Sequence, residues 1–344
     1  MMIVFVIALA AICVYKIKFS SFHDDYMSIP ATNSIKGIFA VIILFSHLRS
    51  YITLTPNLGN KIFIIFLNIL GQLMVTMFFF YSGFGIMESW RNKENYYKGF
   101  LRKRVLKTLV HFDIAVLLFL MVGLLIGKTY PWQNYAFCWI GWESIGNSNW
   151  FIFVILILYV VTFISMKLAT LKKGKEQVVL IISVCLMSVV LWVTLFFTKS
   201  SIWCNTLLCY PIGMLYSLIK SKIDDIVQSN KYIYYFLLAI TSVVFGALYL
   251  MRGNVVVYSV MACAFVVLVT LITIKVQLNN KVLRWLGKYA FSIYILQRLP
   301  MILLKHLGLA ENLWLFSTVS IAATLFVAFA YQKCTDLVDK RLFN

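Results

Sequence analysis

Residues 34–51, SIKGIFAVIILFSHLRSY, decide how the chain is read. The stretch is apolar and long enough to enter a bilayer as a helix, yet it carries Lys36, His47 and Arg49. A lysine at the centre of a membrane helix costs between roughly 3 and more than 10 kcal/mol, depending on how far it can snorkel. Such residues are rare unless they face protein or a water-filled cavity. Lys36 and His47 are eleven residues apart, about three turns plus about 20° of an α-helix, so they share a face about 16 Å apart along the axis. Taken singly, the histidine can be a hydrogen-bond partner for a neighbouring helix and the lysine an interfacial anchor. Together, in line, they suit chemistry that passes a group through a membrane.

The rest of the chain supports the membrane reading. Of 344 residues, 62% are hydrophobic and 12% charged, against about 25% charged in a soluble domain. Hydrophobic runs at about 1–15, 34–54, 61–87, 108–127, 150–171, 177–198, 201–219, 231–250, 254–274, 285–307 and 312–332 predict an all-α polytopic bundle. About eleven helices are expected (10 to 12, because several runs are near the minimum length). The first run lacks a basic start and a clear cleavage site, so it reads as a retained anchor. The expected organisation is an extra helix and linker over 1–33, followed by one membrane domain over 34–344.

A net charge of +19 would point to nucleic acid in a soluble protein; here it follows the excess of Lys and Arg on cytoplasmic loops. With the N-terminus outside and the C-terminus in the cytoplasm of a cell membrane, 24 of the 31 Lys and Arg fall on cytoplasmic segments. That orientation puts Lys36 at the inner end of its helix and His47 farther out. The seven cysteines include no CxxC and sit mostly in apolar runs, which predicts buried thiols and neither a disulfide framework nor a metal site.

Two loops stand apart. Residues 88–107, ESWRNKENYYKGFLRKRVLK, are basic and expected to be cytoplasmic. Basic residues there can simply meet lipid phosphates, or Arg104 and Lys107, three apart on a helix, can hold a phosphorylated ligand together with Arg102. Residues 128–150 are expected outside and hold four tryptophans, three asparagines and Glu143. These serve either as an interfacial belt or as a sugar site in which rings stack and amides bond hydroxyls. FYSGFG, around Ser82, lacks the spacing of a nucleophile elbow. Phosphate-binding loops, dinucleotide fingerprints and HExxH are absent.

Several separated pieces resemble the membrane acyltransferase family 3, the integral-membrane O-acyltransferases that modify sugars. Lys36-x10-His47 is similar to that family's Arg/Lys-x10-His signature, and FFFYSGFGIM (78–87) to its F-F-x-x-S-G-F segment. FLRKRVLKTL (100–109) resembles the basic patch that follows, with Arg104-x-x-Lys107 where the family has two arginines. NSNWFIF (147–153) resembles the tryptophan-led helix start, and LGKYAFSIYILQRLP (286–300) the late segment, with Gln297 at the usual histidine. Glutamine can still orient a hydroxyl, though it cannot titrate.

The resemblance covers about residues 30–335 and implies an acyl group, most often acetyl, moved from a cytoplasmic acyl-coenzyme A to a sugar hydroxyl. The acceptor would be a cell-surface polysaccharide or its lipid-linked precursor. No bound cofactor is expected; acyl-coenzyme A is a co-substrate, the other partners are the glycan and the bilayer, and nucleic acid is not among them. The extra first helix and the GNSNW segment look most similar to members of capsule and exopolysaccharide loci. On this reading His47 is the base, with Lys36 a second catalytic residue farther along the same face; Arg102, Arg104 and Lys107 hold the donor; and Glu143, Trp150 and Gln297 line the acceptor side. His47 as an acyl carrier stays open at this stage. So does the alternative function, a multi-pass exporter of a glycan or small solute, although few helix breakers speak for it.

Overall fold

The computed structural model describes residues 2–343. Helices α1 (Ile3–Val14), α2 (Ile29–Arg49), α3 (Leu58–Leu70), α4 (Leu73–Asn92) and α5 (Lys107–Leu125) come first, with a π-helix over Leu101–Leu106 leading into α5. They are followed by α6 (Trp132–Phe137), α7 (Trp150–Thr170), α8 (Glu176–Thr198), α9 (Cys209–Ser229), α10 (Lys231–Leu250) and α11 (Val255–Lys275). Three short helices, α12 (Lys281–Lys288), α13 (Ala290–Leu296) and α14 (Arg298–His306), precede the long α15 (Leu313–Leu342). Strands β1 (Ile17–Phe19) and β2 (Val276–Leu278) pair antiparallel.

Eight helical stretches among the described residues are long and apolar enough to cross a membrane. They coincide with eight of the hydrophobic runs. Outward-facing side chains of α8 and α10, such as Val190, Phe197, Phe236 and Val243, stay exposed, which only a lipid surround tolerates on this scale. The protein is an all-α polytopic membrane bundle.

The other three runs are built differently. Run 1–15 is a twelve-residue helix. Run 201–219 enters α9, whose second half carries Lys220, Lys222, Asp224 and Asp225. Run 285–307 becomes α12 to α14, interrupted at Tyr289 and Gln297. Run 61–87 is also broken, because Gly71, at φ 47°, turns α3 into α4. Glycine adopts that backbone without the Cβ clash other residues meet.

Contacts sort the loops onto two ends of the bundle. At one end Tyr26 donates to Asp224 at 2.8 Å and Gln277 to Asp25, β1 pairs with β2, and Arg102 reaches the Leu342 carbonyl. At the other, the Met2 amide donates to Asn60 at 3.0 Å, Asn205 to Gln72 at 2.7 Å, and Arg298 to the Asn147 carbonyl at 3.3 Å. The segments read as cytoplasmic from their charge thus gather at one end. The elements α1, α9 and α12 to α14 each connect the two ends, whatever their hydropathy.

Two pairs of glycines let the central helices meet backbone to backbone, the small-residue packing common between membrane helices. A Cβ on Gly83 would collide with the Tyr210 carbonyl and one on Gly213 with the Phe80 carbonyl, so α4 and α9 interlock reciprocally. Gly37 and Gly287 do the same for α2 and α12, against the Leu283 and Asn33 carbonyls. The start of α2 is fixed by Ser28, whose Oγ accepts from the Ala31 amide, with Pro30 in the first turn; both are favoured helix-start chemistry.

Candidate active site

Between α2, α4, α5, α7 and α12–α13 lies a cavity of about 380 Å³. Lys36 and Ile43 reach it from α2, Val75, Phe78, Tyr81 and Ser82 from α4, and Arg104 and Thr108 from the π-helix and α5. α7 contributes Phe151, Ile155 and Tyr159, and the interrupted helix Lys288, Ala290, Phe291 and Tyr294. Each of the five sequence segments that carry the family resemblance therefore supplies side chains to one cavity.

The cavity is polarised along the bundle axis. On α2 the cation comes first and Ile43 two turns later; α4 runs the other way, with Val75 and Phe78 before Tyr81 and Ser82. On α7 Phe151 and Ile155 precede Tyr159. Lys36, Arg104 and Lys288 thus gather at the end shared with the β1–β2 pair; among the described residues no carboxylate lines this cavity, while Asp336 and Asp339 line the adjoining one with Arg104. Three cations without a counter-ion in a largely apolar surround make a site for an anion, because an unpaired buried charge is costly until a partner arrives.

Local structure places these groups. Ser82 follows from the SGFG stretch: Gly83 seats α4 on α9, and the preceding serine turns to Tyr159, sharing a 2.9 Å hydrogen bond with its hydroxyl. Arg104 leaves the π-helix toward the cavity and donates to the Tyr96 hydroxyl at 3.4 Å. In the π-helix the Lys107 amide donates to the Arg102 carbonyl, five residues back, and such wide turns are frequent at functional sites.

The other residues singled out by sequence divide into groups. Lys107 lines a second, smaller cavity that shares Arg104, Thr108, Tyr159 and Phe291 with the first. Its ammonium pairs with Asp339 at 2.6 Å, and His111 holds the other carboxylate oxygen at 2.9 Å. Arg102 is exposed and turned to the carbonyl of Leu342, away from both cavities. Arg104 and Lys107 thus meet in the second cavity, and Arg102 stands apart from both.

His47 sits one turn beyond Ile43 and outside the cavity lining. Its Nε2 is 3.4 Å from Ser148 Oγ. Beside it Arg298 donates to the Tyr51 hydroxyl at 3.0 Å and to the Asn147 carbonyl. Asn147 Nδ2 and Gln297 Oε1 are buried without a partner, although Gln297 Nε2 donates to the Tyr294 carbonyl at 3.1 Å. Asn147 Nδ2 can donate a hydrogen bond to a ligand and Gln297 Oε1 can accept one. Trp150 packs on Phe79 and Phe151. Glu143 is 2.9 Å from the ammonium of Lys199, which lies over the Trp142 and Trp203 rings.

Sequence reasoning did not single out Tyr81, Tyr159, Lys288, Tyr294, Ser148 or Arg298 as site residues. All but Tyr159 lay within quoted segments, and the side of the helix they occupy could have been followed from there. Tyr159 had no local signal, because an apolar membrane helix hides one tyrosine well.

The family model described as an acyltransferase domain, that of the acyltransferase 3 family, matches residues 29–333. Neither the search of curated proteins nor that of solved structures returned a match. The fold defines a multi-pass membrane protein with a cavity inside the bundle. The chain belongs to the acyltransferase 3 family and is a membrane acyltransferase.

Proposed function

We propose that the protein transfers an acyl group, acetyl in the first instance, from acyl-coenzyme A to a hydroxyl of a capsular or other cell-surface polysaccharide, or of its lipid-linked precursor. The observation that carries this reading is the cavity with Lys36, Arg104 and Lys288 at one end and no carboxylate among them. Phosphates of the donor are the anions that such an end would hold, through charge-assisted hydrogen bonds. On the orientation set by the Lys and Arg excess, N-terminus outside and C-terminus in the cytoplasm of the cell membrane, that end faces the cytoplasmic supply of donor.

With the phosphates at the inner end, the thioester points along α2 toward Ile43, about 6 Å of helix rise short of His47. His47 takes the proton of the acceptor hydroxyl as its oxygen bonds to the acyl carbon. The thioester C–S bond breaks, and coenzyme A leaves as the thiolate, to which the proton is returned. Asn147, Gln297 and Ser148 orient the sugar by hydrogen bonds, and Trp150 supports the wall behind them. Glu143 contributes through its ion pair with Lys199, which fixes the aromatic loop. Arg102 and Lys107 draw the anionic donor to the entrance without enclosing it.

The test is transfer from radiolabelled acetyl-coenzyme A by the purified protein in detergent, with capsular glycans and lipid-linked oligosaccharides as acceptors. Label in an alkali-labile ester on the sugar is the expected product. Hydrolysis of the donor with no labelled glycan, or no turnover of it at all, would overturn the assignment.

A further inference from the structure

The far end of the cavity is as uniform as the cationic end. Val75 and Phe78 on α4 face Phe151 on α7, and the Phe78 and Phe151 rings meet edge to face with centroids 6.3 Å apart. Phe151 also packs at 5.5 Å against the ring of Tyr294 on the interrupted helix. Three aromatic rings on three different helices thus stand in contact across the end opposite Lys36 and Arg104. A donor held by its phosphates at the cations enters with its acyl group leading. That group therefore meets these rings first.

We infer that Phe78 and Phe151 set the length of the acyl chain the enzyme accepts, admitting acetyl and rejecting butyryl and longer chains. The inference rests on the proposed function, since it takes the donor to be an acyl-coenzyme A. Phe151 is wedged among Phe78, Phe79, Trp150 and Tyr294, so it cannot swing aside without displacing several rings. Close-packed aromatic rings yield little, and a hydrophobic pocket discriminates by about 10- to 200-fold per methylene. Phe78 and Phe151 are both half-buried, but Phe78 meets only one of these rings, which makes it the wall residue that can be shortened with least harm to packing.

The experiment compares kcat/KM for butyryl- and acetyl-coenzyme A in the wild type and in Phe78→Ala, with the same glycan acceptor. The wild type should favour acetyl by at least about 10-fold, and Phe78→Ala should raise the butyryl to acetyl ratio by about 10-fold or more. Phe78→Val, which keeps an apolar side chain in place, should raise it less and carries the test if the alanine variant does not survive purification. Wild-type acetyl transfer with an unchanged ratio in the variants would overturn the inference and leave the proposed function standing. A wild type that transfers no acyl group from coenzyme A would overturn both.

Discussion

Lys107 and Asp339 form an ion pair, Nζ to Oδ2 at 2.6 Å, that ties the start of α5 to the last turns of α15. Arg104, one turn earlier, has no carboxylate partner and lines the main cavity. The two basic residues, equivalent by spacing, therefore differ in what they have left to offer an anion. Arg104→Ala should weaken coenzyme A binding by about 10- to 100-fold, the loss of one charge-assisted contact. Lys107→Ala should weaken it by less than about fivefold, as befits a partly exposed and already partnered charge. Titration calorimetry with coenzyme A checks both, and equal effects would mean that the ion pair opens on binding.

For His47 the informative variant is glutamine. It keeps a hydrogen-bonding side chain for Ser148 but cannot accept a proton near neutral pH. His47→Gln should lower kcat by about 10²–10⁴-fold, the usual share of general base catalysis, while coenzyme A binding is kept. A glutamine variant retaining most of the activity would show that the position needs only a hydrogen-bond partner.

Two glycines two residues apart on α4 should respond oppositely to alanine. A Cβ on Gly83 strikes the main chain of α9, whereas nothing lies within 4 Å of one on Gly85. Gly83→Ala should cost about 1–3 kcal/mol by overpacking and lower the melting temperature in detergent. Gly85→Ala should leave it unchanged or raise it slightly, as Gly-to-Ala changes within helices do. The reverse order would contradict the interlock of α4 with α9.

Sidedness can be read with reporters. Green fluorescent protein fused after residue 344 should fluoresce, and alkaline phosphatase inserted at Asn134 should be active, because it folds only outside the cytoplasm. Activity with the opposite assignment would invert the donor path and the roles drawn from it.

How far the sequence could be read depended on whether a signal was local. The face shared by Lys36 and His47 follows from helix periodicity, and the structure keeps α2 unbroken over both. The interruption at Tyr289 was hidden, because hydropathy sees only an apolar run; that at Gln297 is signalled by Pro300, which cannot donate to the Leu296 carbonyl four residues back. Ser82 was noticed for a glycine pattern, but its partner Tyr159 is distant in sequence and comes from packing alone. Glu143 looked free to bind a ligand until the fold brought Lys199 to it. The three-residue spacing of Arg104 and Lys107 does bring both to the second cavity, but it gave no sign of Asp339, which pairs with Lys107 from the far end of the chain.

Lys36 and Lys288 are the immediate neighbours of Gly37 and Gly287, the two residues through which α2 and α12 touch main chain to main chain. Their Cα positions are therefore held by a contact with no side-chain slack, and the two ammonium groups swing on flexible stems from fixed roots. Arg104 stands on a different footing, on a wide helical turn whose neighbours Leu101, Arg102 and Lys103 are exposed. An anion entering between them meets two charges rooted in a packed helix crossing and a third carried on an exposed wide turn, as between the arms of a calliper.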